Sequence, residues 1–184
     1  MILALCFLFL LSACSKQTEC VQPALDFRTR LLDAGGCSFE SEIAASDGSE
    51  VTRFCLQCEY RTDGTADLTL TAPETLSGIR AHTERGGADL LFDEVQVAFP
   101  SLSDGRLAPM AAPCVLGDCW QSAYISLCGT EGDFLRVTYL SGFDGRELTV
   151  DCWFDGHGIP VHAEIACDGQ TVLQAEITNF VFAS

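Results

Sequence analysis

The sequence predicts a mainly β protein, an antiparallel sheet of about eleven strands that curls or closes, accompanied by two helical segments. Three observations predict it. Apolar residues alternate with polar ones at a period of two through most of the chain after Cys37. The alternating runs are short and are separated by turn residues, among them the Asp-Gly pairs Asp63-Gly64, Asp144-Gly145, Asp155-Gly156 and Asp168-Gly169. Two stretches break the alternation, one before Cys37 and one after Leu107.

The first break, Pro23 to Gly36, is a predicted helix. Leu25, Leu31 and Leu32 form its apolar stripe, Pro23 suits a first turn, and Gly35-Gly36 stops it. From Cys37 the period becomes two, with Phe39, Ser41 and Ile43 on one face and a turn at Ser46-Asp47-Gly48-Ser49. The clearest strand follows: Phe54, Leu56, Cys58 and Tyr60 on one face, Arg53, Cys55, Gln57 and Glu59 on the other. Thr62-Asp63-Gly64 turns it into a partner carrying Ala66, Leu68 and Leu70, and Pro73 to Gly78 breaks that run. Ile79–Arg85, Ala88–Phe92 and Val95–Phe99 read as three further strands, divided at Gly86-Gly87 and Asp93-Glu94. Pro100 to Leu107 is a loop. Ala108 to Ala123, with Pro109, Pro113, Leu116 and Trp120, reads as a short helix or two helical turns against the sheet. Strands then resume at Ile125–Thr130, Phe134–Leu140, Glu147–Phe154, Pro160–Cys167 and Thr171–Phe182.

Length suits one domain, large enough to bury roughly 70% of its unfolded surface without a metal or a disulfide. The formal charge of −16 argues against nucleic acid, whose phosphates require clustered Lys and Arg, and equally against adsorption to anionic headgroups. Among the eleven cysteines, Cys55-x-x-Cys58 is the pair that invites a zinc or redox reading. Three positions apart on a strand they point to opposite faces, so they suit neither a zinc knuckle nor the helix-opening redox motif. His157 and His162 bracket a turn beside Asp155, where a solvated turn is the expectation. No Gly-x-Ser-x-Gly elbow, His-Glu-x-x-His or phosphate-cradling glycine loop occurs, and no nucleophile stands with its base. We therefore expect no enzyme, no cofactor and no metal.

The N-terminus carries the sharpest motif. An apolar run from Ile2 to Leu11, too short to span a bilayer, leads into Leu11-Ser12-Ala13-Cys14 and then into polar Ser15-Lys16-Gln17-Thr18-Glu19. This resembles the lipobox of exported bacterial lipoproteins. The resemblance implies a signal peptide over 1–13, diacylglycerol on Cys14, a tether over 14–20 and a domain over 21–184. It places the protein lipid-anchored on the extracytoplasmic face of the cell membrane, or on an outer membrane where the host has one. The nine cysteines beyond Cys14 are either disulfide-bonded, as an oxidising exterior allows, or small buried hydrophobes.

The order of elements, with a Pro-x-x-Leu-x-Gly turn at Pro73, Leu76 and Gly78 and a helical interruption after Phe99, resembles the LolA/LolB-like lipoprotein-carrier superfamily. That resemblance implies an incomplete barrel lidded by helices and an apolar cavity that takes acyl chains. The expected ligand-facing residues are Phe54, Leu56, Leu68, Leu70, Val95, Val97 and Phe99. The implied activity is non-covalent handling of a lipid or lipoprotein by a monomer. The alternative is an interaction or envelope-sensing module of the same fold with a filled core, because alternation identifies the apolar side of a strand and not what occupies it.

Overall fold

The computed structural model describes residues 20–46, 51–84, 87–92, 95–100, 102–103, 106–143 and 146–184, with backbone alone for 87–107, 143 and 146. A helix over residues 20–34 (α1) leads into strands β1 (Gly36–Ser46), β2 (Val51–Arg61), β3 (Ala66–Ala72), β4 (Arg80–Glu84), β5 (Gly87–Phe92) and β6 (Val95–Pro100). A two-stranded ribbon, β7 (Leu102–Ser103) with β8 (Arg106–Leu107), takes part of the expected loop. A 3-10 turn (Pro109–Ala111) then runs into helix α2 (Ala112–Ser122). Strands β9 (Tyr124–Glu131), β10 (Phe134–Phe143), β11 (Arg146–Phe154), β12 (Pro160–Cys167) and β13 (Gln170–Phe182) complete the chain.

Eleven strands form one antiparallel sheet in the order β6-β5-β4-β3-β2-β1-β13-β12-β11-β10-β9, so the first and last strands pair in its middle. Helix α2 packs against both β2 and β10. Those strands are five steps apart in the order, roughly 24 Å in a flat sheet at about 4.8 Å per step. One helix about 10 Å across reaches both only because the sheet curls around it. The sheet is an incomplete barrel, with β6 and β9 as its two ends.

Register shifts help it bend. The most consequential lies in β13, where Asn179 and Phe180 face the single residue Phe39 of β1. Asn179 takes a left-handed conformation (φ 52°), and its side-chain amide donates to Glu40 Oε2 at 2.9 Å. Before it, Leu173, Ala175 and Ile177 face inward; after it the parity changes, and Phe180 and Phe182 face inward instead. One extra residue thereby aims two aromatic rings at α1.

The helix expected from Pro23 is already formed at residue 20, the first described residue, and its buried stripe is Ala24, Phe27 and Leu31. Of the three leucines expected to form that stripe only Leu31 is buried; Leu25 is 38% exposed and Leu32 46%. Residues 47–49 of the turn expected at 46–49, Gly86 of that at Gly86-Gly87, the turn at Asp93-Glu94 and residues 144–145 of that at 143–145, together with Cys14 and everything before residue 20, lie outside the described residues. No described helix is long and apolar enough to cross a membrane.

Candidate functional site

The inner face of the sheet is a lattice of apolar rows, each running across several strands. One row passes from Phe54 to Ile43, Ala175, Ala163, Cys152, Val137 and Cys128, spanning β2 to β9. Its middle members are small, which leaves room above them. Trp120 of α2 takes that room: it is fully buried, and its indole N–H donates to Cys152 Sγ at 3.4 Å. Trp120 meets Phe27, Phe39 and Phe180 at ring-centroid distances of 5.6–5.9 Å, largely edge to face. Phe27 also touches Phe154 and Phe182. This part of the concave surface is a packed core.

Helix α2 is held from two sides. Cys114, Asp118 and Gln121, at i, i+4 and i+7, share a face that meets the β2–β3 hairpin. The Tyr60 hydroxyl lies 2.7 Å from Gln121 Oε1 and 3.2 Å from Asp118 Oδ1, Gln121 donates to Thr62 O at 2.8 Å, and the Cys114 thiol donates to Gly64 O at 3.4 Å. The Tyr60 ring lies so close to Gly117 that a Cβ there would overlap it. Burial, reinforced by the nearby Asp118 carboxylate, pushes the Tyr60 phenol well above its usual range. At the other end, the Arg28 guanidinium of α1 donates to the carbonyls of Trp120 (2.8 Å), Cys119 (3.2 Å) and Ala123 (2.7 Å). It thus satisfies the Trp120 and Ala123 carbonyls at the helix C-terminus, shares that of Cys119 with the Ala123 N–H, and complements the negative end of the dipole.

Of the expected ligand-facing residues, Leu56, Leu68 and Leu70 are buried on this inner face, with Leu56 opposite Leu70 and Leu68 opposite Cys58. Leu56 and Leu68 belong to the continuous core; Leu70, only 3% exposed, stands outside that cluster. Phe54 is half-buried at the start of its row. The ladder continues the same line outward: Leu68 pairs with Ala81, Ala81 with Leu90, and Leu90 with Val97. Val95 and Phe99 occupy alternate positions of β6 in register with that line, and the side chains of all three β6 residues lie outside the described residues.

The outer face differs in kind. Glu40, Glu42, Cys55, Gln57, Glu176 and Thr178 line an open groove of about 430 Å³ across β13, β1 and β2. Its carboxylates are engaged: Glu42 with Arg53 at 3.2 Å, Glu176 with His162 Nδ1 at 2.9 Å, and Glu40 with Gln57 and Asn179. Cys55 lines this groove while Cys58 is buried inside, so the pair does face opposite ways. Among the described residues no group of three His, Cys, Asp or Glu side chains is placed to hold a metal ion. Asp155 accepts the backbone N–H groups of His157 and Ile159, a turn-closing role. Burial pushes the Cys37 and Cys152 thiols up to about 12 and the Cys58 and Cys119 thiols well above their usual range, which makes them poor nucleophiles at neutral pH.

The residues that sequence reasoning missed are Arg28, Asp118 and Asn179. Asp118 carried a signal, as the single charge in an otherwise apolar helical stretch, and Asn179 interrupted the alternation of β13.

No protein-family model and no curated protein matches the sequence. The fold is similar to several solved structures at low identity. An uncharacterized conserved protein from Thermus thermophilus is 7% identical over 88% of each chain, with a TM-score of 0.48. A LolA superfamily protein from Nitrosomonas europaea is 9% identical, covering 88% of this chain and 94% of its own, with a TM-score of 0.45. LprF from Mycobacterium bovis is 11% identical, covering 91% of this chain and 97% of its own, with a TM-score of 0.44.

Proposed function

We propose that this chain is an envelope lipoprotein domain, anchored through Cys14, that holds a lipid or other apolar ligand non-covalently and carries out no catalysis. One observation carries the reading. Helix α2 packs against β2 and β10, whereas the apolar inner face continues past it through Leu68 and Leu70 of β3 to Ala81 of β4. There the 3-10 turn Pro109–Ala111 also meets β4 and β5, and the backbone ladder runs on to β6. Leu70 and Phe54 stand at the border of the packed region, one outside the continuous core and the other half-buried. An apolar wall at the edge of a rigid core, in a sheet that does not close, is a common kind of ligand site. The buried polar groups support the non-catalytic part: the Tyr60 phenol and the buried thiols are held protonated, so neither presents a nucleophile.

The test uses the full chain carrying Cys14→Ser, which removes the acyl anchor and is expected in the soluble fraction. Purified natively, it should carry one lipid per chain by native mass spectrometry, or bind a fluorescent fatty acid at micromolar concentration or better. Phe54→Asp should weaken that binding at least tenfold while shifting the melting temperature little, because Phe54 is only half-buried. A ligand-free chain that ignores the fatty acid at tens of micromolar overturns the ligand reading. A Cys14→Ser chain that stays with the membrane overturns the anchor.

A further inference from the structure

The packing separates the described cysteines into two groups. Cys37, Cys58, Cys114, Cys119, Cys152 and Cys167 are buried, out of reach of an oxidant. Of these, Cys37 and Cys58 sit diagonally on paired strands, since Cys37 faces Tyr60 and Cys58 faces Phe39. Diagonal Cα atoms in an antiparallel pair are about 7–8 Å apart, beyond disulfide reach. Cys55 is half-buried on the outer face, opposite Glu42 and Ala72.

Cys20 and Cys128 differ from all of these. Both are half-buried and therefore open in part to solvent. Cys20 lies on α1; Cys128 lies on the inner row of β9, the last strand of the sheet. The Cys128 thiol donates to the backbone carbonyl of Cys20 at 2.8 Å. These residues, 108 apart in sequence, are brought side by side by the docking of α1.

We propose that Cys20 and Cys128 form a disulfide that locks α1 to the β9 edge of the sheet. The oxidant is a second disulfide, of a small thiol or of a thiol–disulfide oxidoreductase. One cysteine thiolate attacks it and releases the first leaving thiolate, leaving a mixed disulfide. The other cysteine thiolate then displaces the second. One S–S bond forms in this chain and one breaks in the oxidant; the two thiol protons end on the two leaving groups, and two electrons pass from the chain to the oxidant. Burial and the neighbouring thiol push Cys128 up to about 12, which slows its reaction at neutral pH as it does for Cys37 and Cys152, so the exchange should quicken as pH rises.

The placement has a mechanical consequence. Cys20 lies one turn of α1 before Ala24 and about two before Phe27, which α1 carries into the aromatic core around Trp120. A pull on α1 from its N-terminal side would draw Ala24 and Phe27 out of that core. A bond from Cys20 to Cys128 passes the load to the sheet. It also closes a loop of more than 100 residues, the long-loop case in which a cross-link restricts the unfolded chain most.

The experiment oxidises the folded full chain with oxidised glutathione at pH 8, blocks remaining thiols with iodoacetamide in denaturant, and digests with trypsin and chymotrypsin without reduction. Cleavage after Trp120 and Tyr124 separates Cys128 from Cys119. The expected product is a peptide bearing Cys20 joined to one bearing Cys128. The melting temperature should rise on the order of 5–10 °C and fall back with reductant. Cys128→Ser should abolish the rise and Cys55→Ser should leave it intact. Recovery of Cys20 and Cys128 as separately alkylated or glutathionylated peptides, or of either joined to another cysteine, overturns the proposal. The peptide map is read on the unsubstituted chain, so it decides the matter even if a variant folds poorly.

Discussion

The two helices serve the same sheet in opposite ways. Nine consecutive residues of α2, Ala112 to Trp120, are buried, so this helix has no solvent face and acts as the core itself. Helix α1 buries a single stripe of Ala24, Phe27 and Leu31 and leaves Leu25 and Leu32 exposed, as a lid does. Their sequences differ accordingly: α2 holds one charge in eleven residues, whereas α1 alternates Asp26, Arg28, Arg30 and Asp33 around its stripe. A helix apolar on every side must be enclosed, and here the sheet encloses it by curling. A helix apolar on one side closes the opening that remains.

This contrast makes α2 the more sensitive of the two. Trp120→Ala removes the ring on which Phe27, Phe39 and Phe180 converge and should lower stability by about 3–5 kcal/mol, read as the shift in urea midpoint at constant slope. A loss below about 1 kcal/mol would mean that α2 is not the centre of the core. Gly117→Ala adds one methyl where the Tyr60 ring already lies and should cost roughly 1–3 kcal/mol, although alanine favours helices. Gly117→Ala combined with Tyr60→Leu should recover part of that loss, because the obstructing ring is then gone.

The difference between the helices was only partly legible in the sequence. The interruption of the strand pattern after Leu107 marked α2 as helical, and Trp120 and Leu116 marked it as apolar. That it would be enclosed on every side depends on the radius of the curled sheet, which no local pattern encodes. For α1 the three leucines, Leu25, Leu31 and Leu32, suggested the stripe. The face that packs is instead set by the aromatic rings of Trp120, Phe154, Phe180 and Phe182 that converge on Phe27. Two of those rings face inward only because Asn179 reverses the parity of β13, a shift that simple alternation misreads. The strands were legible nearly throughout, since their period is local. The inner positions Leu56, Leu68 and Leu70 were correctly placed on one face, whereas the filling of much of that face by Trp120 arises from contacts remote in sequence.

Arg28 couples the two helices and tests whether the lid also braces the core. Its guanidinium is fixed by three carbonyls at the end of α2, so Arg28→Ala should cost about 1.5–3 kcal/mol. Arg28→Lys should recover less than half of that, because an ammonium cannot span three carbonyls in the geometry of the planar fork. If lysine restores full stability, the contact is a matter of charge at the helix end and not of shape.

The smallest expected effect is the most discriminating for α1, because it compares adjacent leucines. Leu31 is fully buried and Leu32 is 46% exposed, one position and about 100° around the helix apart. Leu31→Gln places an amide among Phe27 and its neighbours and should cost more than about 2 kcal/mol. Leu32→Gln should fall within about 0.5 kcal/mol of the unsubstituted chain, as surface changes do. A substantial loss at Leu32 would show that this face of α1 is covered in the folded protein, and α1 would then be enclosed as α2 is. A near-zero effect at Leu32 beside a large one at Leu31 keeps α1 as a one-sided lid, whose removal would uncover Trp120 and Phe154 without dismantling the sheet around α2.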